Sequence, residues 1–328
     1  MAKAMAERPA LKKSGAEART DLVSRSGETN AGMPLSLNRA PADDLDPWIA
    51  RIVVAKIETG PEFSIDCGLC NDIAFQRLLV GGEWFAETLD GQRRFGAEPL
   101  LIGPHSRHMK VQCKGAMSTL GVGFRPGALR QLLRRDMPQL VDRIEPSDPL
   151  GLLDEGGTAF YSKDASAEEW AALLEGRVRA FIERVQPPHP EPLSSAFEYA
   201  SFADPNIAPG EFAEAHGVSL RTLERTVRRD FGLTPRTVLR RARALDLASQ
   251  LLGLADQTEE QEFLLRYFDQ SHAIREFQAF FGVTPQRFRA SPKLLLTINL
   301  ETRAARRLEE LDKLRPGDKR PWHPEDSG

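Results

Sequence analysis

Two five-residue stretches, FGLTP at 231–235 and FGVTP at 281–285, stand 50 residues apart and constrain this chain more than any other feature. Gly supplies the left-handed residue that ends a helix, and Thr-Pro is suited to start the next one. Each copy therefore reads as the end of one helix and the beginning of another. Applying the offset of 50 maps Ser219 onto Asp269, Arg225 onto Arg275, Val227 onto Phe277, Phe231 onto Phe281 and Pro235 onto Pro285. Between the copies, TPRTVLRRARALDLASQLLGL places Val238, Ala242, Leu245, Ala248 and Leu252 on one stripe. That pattern predicts a single spacer helix holding two similar units.

Upstream of the first copy the chain reads PGEFAEAHGVSLRTLERTVRRDFG. Ala213 is small enough for two helices to approach there, and Gly217, four residues on, suits a turn that needs positive φ. Ser219 is a good N-cap, and Val218, Leu223 and Val227 supply apolar anchors. This spacing is that of a helix-turn-helix. From Arg221 to Arg243 there are eight arginines against two acids, Glu224 and Asp230. A local cationic patch of this kind suits phosphate contact, although the whole chain carries a net charge of only −3.

The stretch GVSLRTLERTVRRDFGLTPRTVLRRARALDLASQLL, followed by DQSHAIREFQAFFGVTPQRFR, resembles the DNA-binding domain of AraC-type (AraC/XylS) transcription regulators over residues 191–290. The resemblance implies two helix-turn-helix units placed in successive major grooves of double-stranded DNA. It assigns base reading to Arg221, Glu224 and Arg225 in the first unit and to Gln270, Ser271 and Arg275 in the second. Arg228 and Arg229 are assigned to the DNA backbone. The second unit departs from the family pattern, with Glu262 and Arg266 in place of Ala and Gly, and Ala273 in place of Phe or Leu. Acids at Asp256, Glu259, Glu260 and Glu262 add to that departure, so the second reading helix is expected to contribute less.

The remainder of the 328 residues reads as a different kind of domain. Residues 1–45 are polar and aperiodic and read as a disordered tail. From Trp48, short apolar runs (RIVVAKI, FSIDC, IAFQRLLV, WFAETL, PLLIG, MKVQC, STLGVGF) alternate with turns, and Asp90-Gly91 marks a hairpin. These runs predict an antiparallel sandwich or barrel, followed by a helix at GFRPGALRQLLRR with Pro126 in its first turn. A second helix over 166–185 places Trp170, Leu173, Leu174, Val178, Phe181 and Val185 on a stripe that suits core packing or a dimer seam. The expected architecture is α+β. A β-rich sensor or dimerisation domain at 46–185 is followed by a Pro-rich linker at 186–192, an all-α domain at 193–292, and a C-terminal helix and tail at 293–328. GPHSRH and GFRPGALRQLL are similar to segments of the small sensor domains in some of these regulators.

The three cysteines are few and odd in number, which suits a reducing compartment. No run approaches a membrane span, and the N-terminus lacks the apolar stretch of a secretory signal, so the expected location is cytoplasmic. CGLC at 67–70, with His105, His108 and Cys113 downstream, raises an alternative: a metal- or thiol-dependent enzyme or sensor with a DNA-targeting domain. Against it, Cys67 and Cys70 would point to opposite faces of a strand, and the histidines read as surface or pocket-rim residues. No Ser-His-Asp grouping, paired carboxylates or phosphate-cradling Gly loop occurs, so neither catalytic residues nor a cofactor are assigned. The leading expectation is a transcription regulator responding to an unidentified small molecule, with RNA polymerase and a second copy of the chain as candidate partners.

Overall fold

The computed structural model describes residues 37–57, 60–153, 157–162, 164–254, 270–290 and 294–311. Its N-terminal half is a two-sheet antiparallel sandwich built from ten strands among the described residues. These are β1 (Leu37–Arg39), β2 (Ile49–Ile57), β3 (Ser64–Leu69), β4 (Phe75–Leu79), β5 (Glu83–Thr88), β6 (Gly91–Phe95), β7 (Pro99–Ile102), β8 (Met109–Lys114), β9 (Met117–Phe124) and β10 (Ile144–Pro146). One sheet runs β1-β2-β9-β4-β7-β10 and the other β3-β8-β5-β6. Alternation along each strand divides the apolar residues between two cores. Phe75 and Leu79 meet Trp84, Val111 and Cys113 between the sheets, whereas Leu78 and Leu120 face the helical side.

The seven expected runs all form strands; β6, on the far side of the expected Asp90-Gly91 turn, and the short β1 and β10 are additional. β1 and β10 are three-residue strands, too short for alternation to register in sequence. Because β1 pairs with β2 and Ala42 and Leu45 are buried, residues 37–45 belong to the fold, not to a disordered tail. The hairpin forms one residue away from its expected centre. Thr88 pairs with Gly91, leaving Leu89 and Asp90 as the turn. The neighbouring segment holds that register: the Leu89 N–H donates to the Asp142 carbonyl at 2.8 Å, and Arg143 Nε donates to Asp90.

Helix α1 (Ala128–Leu133) starts after Gly127, at φ 85°, so Pro126 precedes the cap instead of lying in the first turn. Helix α2 (Ala167–Val185) opens on a capping box between Ser166 and Glu169. It packs Trp170, Leu174, Val178 and Phe181 into the core beneath β2 and β9. Leu173 and Val185 are exposed, and Ala171 and Ile182 complete the buried stripe. The stripe is thus a core surface and is not available as a dimer seam.

The second half comprises α3 (Pro192–Ala203), α4 (Pro209–Ala215), α5 (Leu220–Phe231), α6 (Pro235–Leu251), α7 (Gln270–Phe281), α8 (Pro285–Ala290) and α9 (Leu294–Glu310). Helix α9 folds back onto the sandwich. Leu295 and Ile298 enter the core between the sheets, while Leu296, Leu300, Ala304 and Leu308 pack with α6 and α7. None of the described helices is long and apolar enough to cross a membrane.

Candidate nucleic-acid interface

The repeat is a repeat of helix ends. Gly232 caps α5 at φ 76°, and Gly282 follows α7 at φ 71°. The Gly232 N–H returns to the Arg228 carbonyl at 3.1 Å, and the Gly282 N–H returns to the Gln278 carbonyl at 2.8 Å. Thr234 Oγ1 then accepts from the Thr237 N–H at 3.3 Å, and Thr284 Oγ1 accepts from the Arg287 N–H at 3.2 Å. Five residues thus close one helix and open the next in the same way twice.

The helix-turn-helix of the first unit forms as its spacing predicts. Ala213 is buried where α4 meets α5, Gly217 takes φ 65°, and Ser219 Oγ accepts from the Thr222 N–H at 3.1 Å. Leu223 and Val227 are fully buried, while Val218 is half-buried. Burial in α7 reproduces burial in α5 at the offset of 50. Leu223, Thr226, Val227, Asp230 and Phe231 face inward, and so do Ala273, Glu276, Phe277, Phe280 and Phe281. Phe277, Phe281 and Phe288 form a ring cluster with centroids 4.6–5.2 Å apart.

The outward face of α5 carries Arg221, Glu224, Arg225 and Arg228, all exposed. Its counterpart on α7 carries Ile274 and Arg275, also exposed. Gln270 and Ser271 occupy the first turn of α7. Asp256, Glu259, Glu260, Glu262, Arg266 and Asp269 lie outside the described residues.

Of the eight arginines between 221 and 243, five face solvent: Arg221, Arg225, Arg228, Arg236 and Arg240. The other three hold the fold together. Arg229 pairs with Glu191 at 2.7 Å and Asp230 at 2.6 Å, and these bonds raise its pKa. Arg241 is buried, donating to the His105 carbonyl at 3.0 Å and the Asp72 carbonyl at 2.8 Å. Burial draws its pKa down to about 10, which leaves it charged at neutral pH. Arg243 pairs with Glu276 and donates to the Pro205 carbonyl at 2.6 Å. The cationic surface is therefore smaller than the sequence count. Ile274 was missed because an apolar residue on a periodic helix reads as core; the offset to Glu224 is the signal that would have found it.

The sandwich touches the end of each exposed helix. A Cβ on Gly232 would meet Val141 Cγ2 at 2.5 Å and the Met137 carbonyl at 3.1 Å. At α7, the His108 N–H donates to the Phe280 carbonyl at 2.8 Å, and the His108 ring lies 5.8 Å from that of Phe281. His105 is fully buried, not at a surface or rim, and His108 is half-buried. Burial draws the His105 pKa down to about 3 and that of His108 to about 4, so both are neutral at physiological pH. His105 Nδ1 accepts from the Asn71 N–H at 3.0 Å, which leaves its proton on Nε2. Within CGLC, a Cβ on Gly68 would overlap His108 Nε2 at 1.8 Å, so this glycine admits the imidazole ring. Cys67 packs on the core between the sheets, while Cys70 packs on the core of α6, α7 and α9, so the two do not form one site. Among the described residues there is no group of three side chains arranged to hold a metal ion.

Comparison with known proteins agrees with this division. Residues 212–291 match a family model described as a helix-turn-helix domain, and residues 38–146 match a domain of unknown function (DUF6597). No curated protein matches the chain. Apo ToxT from Vibrio cholerae is similar in structure at a TM-score of 0.45 and 9% identity, covering 77% of this chain and 99% of that one. ToxT bound to an unsaturated fatty acid gives 0.41 at 12% identity, covering 73% and 95%. The AraC-like transcriptional activator CuxR gives 0.24 at 15%, covering 64% and 86%. The paired caps, the matched burial of α5 and α7 and the family match identify residues 212–291 as a helix-turn-helix domain of the AraC type, carried behind a β-rich N-terminal domain.

Proposed function

We propose that this chain is a sequence-specific DNA-binding transcription regulator whose helices α5 and α7 enter the major groove. The observation that carries this reading is the recurrence, at an offset of 50, of exposed positions (Glu224 and Arg225, Ile274 and Arg275) on two helices that end in the same left-handed glycine. Arg221, Glu224 and Arg225 read bases from α5, and Gln270, Ser271 and Arg275 read them from α7. Ile274 joins them, because an exposed aliphatic side chain in the position of Glu224 suits the methyl group of thymine. Arg228, Arg236 and Arg240 serve the phosphates. Binding of a small molecule to the N-terminal domain would be communicated through Val141 against Gly232 and through His108 against Phe280. The protein would act in the cytoplasm, with RNA polymerase and a second copy as further partners.

The test is an electrophoretic shift of the purified chain on DNA from upstream of its own gene. Affinity should fall steeply with salt as phosphate counterions are displaced. Arg225→Ala should lower affinity at least about tenfold and remove preference at one base position. Replacing thymines singly with deoxyuridine should weaken the wild type at one position and leave Ile274→Ala indifferent there. A salt slope near zero would refute the nucleic-acid reading altogether.

A further inference from the structure

Cys67 and Cys113 meet on one face of the four-stranded sheet. In the β3–β8 register Cys67 lies opposite Val111 and Cys113 opposite Ile65, so the two cysteines are diagonal neighbours on adjacent strands. Both pack on the core between the sheets; Cys113 is fully buried, while Cys67 is only partly covered. Beside them lies an unusual cation. Arg77 projects from β4 into this core and is almost fully buried, with its guanidinium 5.5 Å from the Phe75 ring and 5.7 Å from that of Trp84. Trp84 is the register partner of Cys113 on β5. Among the described residues no carboxylate lies within ion-pair distance of Arg77, and its electrostatic partner is the Cys113 thiol. A buried charge without a counter-ion is costly, so an anion in this place is favoured. A second positive influence, this one on Cys67, comes from the first turn of α9, whose Leu295 N–H lowers the Cys67 pKa.

We propose that Cys67 and Cys113 form an oxidisable thiol pair, which hydrogen peroxide closes into a disulfide between β3 and β8. Each part has the role its surroundings suit. Cys67 is the attacking sulfur: it is the accessible one, and the hydrogen bond from Cys113, aided by the Leu295 N–H, lowers its pKa. Cys113, held protonated by that same bond and by burial, is the resolving thiol. Cys70 takes no part, since burial raises its pKa and it faces another core.

The Cys67 thiolate attacks one peroxide oxygen, and the O–O bond breaks to give Cys67 sulfenic acid and hydroxide. That hydroxide becomes water with the proton Cys67 has lost. The Cys113 sulfur then attacks the sulfenic sulfur; the S–O bond breaks and a second water leaves with the Cys113 proton. Two thiols are oxidised by two electrons, and one peroxide is reduced to two waters. Diagonal neighbours lie about 7–8 Å apart at Cα, against about 4.4–6.8 Å for a disulfide. Because the two strands are already at ladder distance, closing the bond shifts edge strand β3 lengthwise along β8 and, with it, the strand against which the first turn of α9 rests.

The reduced full-length chain would be treated with graded hydrogen peroxide, quenched, alkylated in denaturant and mapped by mass spectrometry. Two of the three thiols should disappear together, in a single Cys67–Cys113 cross-link that dithiothreitol reverses. Cys113→Ser should form no disulfide and should leave a Cys67 sulfenic acid that dimedone traps. Arg77→Met should prolong the dimedone-trappable Cys67 sulfenic acid about tenfold, because the cation that favours the Cys113 thiolate is gone, while Arg77→Lys preserves closure. A Cys67–Cys70 cross-link would overturn the proposal. So would oxidation of Cys67 to sulfinic acid with Cys113 still free to alkylate, or consumption of Cys67 no faster than that of Cys70. None of these readouts depends on DNA binding.

Discussion

Neighbouring residues of identical chemistry have different work in this fold. Arg228 and Arg229 are adjacent, and as members of the arginine patch both are expected at the DNA backbone. Arg228 is exposed, whereas Arg229 is engaged by Glu191 and by the buried Asp230, which also accepts from Ser194. Arg228→Ala should therefore weaken binding to all sequences alike and flatten the salt slope by about one, without changing the unfolding midpoint. Arg229→Ala should lower stability, since Asp230 loses its cation; equal salt slopes for the two variants would show that Arg229 also reaches phosphate. The buried histidines make a separate prediction. Their pKa values of about 3 for His105 and about 4 for His108 lie below the unfolded value, so the unfolded chain binds more protons across the interval between. Stability is then fully present above about pH 6.5 and falls as the solution is acidified toward those values, by on the order of 2 kcal/mol for each histidine at pH 4.5. Urea denaturation at pH 7.5 and 4.5 measures this, and His105→Gln should reduce the difference.

Among the helices, the two caps share a conformation but not a setting. Gly232 and Gly282 both sit at positive φ, which costs an L-residue about 1–2 kcal/mol. Around Gly282 there is open space, whereas a side chain on Gly232 would run into Val141 and Met137 of the sandwich. Gly282→Ala should therefore cost about 1–2 kcal/mol and Gly232→Ala about 1–3 kcal/mol more, the extra part coming from overpacking. Equal losses in chemical denaturation would mean that the Met137–Val141 segment yields without cost. The same helix ends explain why the repeat was legible from sequence. Gly, Thr and Pro act on the backbone within a few residues of themselves, so no tertiary context is needed to interpret them. Ile274 and the three inward-turned arginines had no such local marker.

At the scale of the whole molecule, α9 joins the two halves through buried charge. Asp72, in the turn between β3 and β4, meets Arg306 at 2.8 Å and Arg303 at 3.5 Å, and Arg306 also reaches Glu198 of α3 at 3.2 Å. Arg125 binds Asp46 at 2.6 Å and Glu310 at 2.7 Å, and Asn38 donates to Thr302 at 3.0 Å. Burial would raise the pKa of Asp72, but Arg306, Arg303 and Arg241 outweigh it and leave a lowered value. Buried pairs add little net stability, yet removing one partner strands the other, at about 3–5 kcal/mol. Asp72→Ala should lose stability on that scale, and a loss below about 1 kcal/mol would mean that water already enters the junction. The Pro-rich break at 186–192 suggests independent halves. In the structure, however, Trp48 Nε1 donates to the Pro188 carbonyl at 3.0 Å, and Leu295 and Ile298 lie in the core of the sandwich.

What the sequence determined by itself was local and periodic: strand alternation, the helix ends of the repeat, the Ser219 cap and the Gly217 turn. Each follows from the backbone preference of one residue or from the fixed period of one element. Only the tertiary structure decided which arginines face solvent, that Cys67 partners Cys113 and not Cys70, and that α9 returns to the sandwich. Those outcomes depend on the burial of charge and apolar surface between segments up to 264 residues apart, as Asn38 and Thr302 are, and no local preference encodes such a pairing.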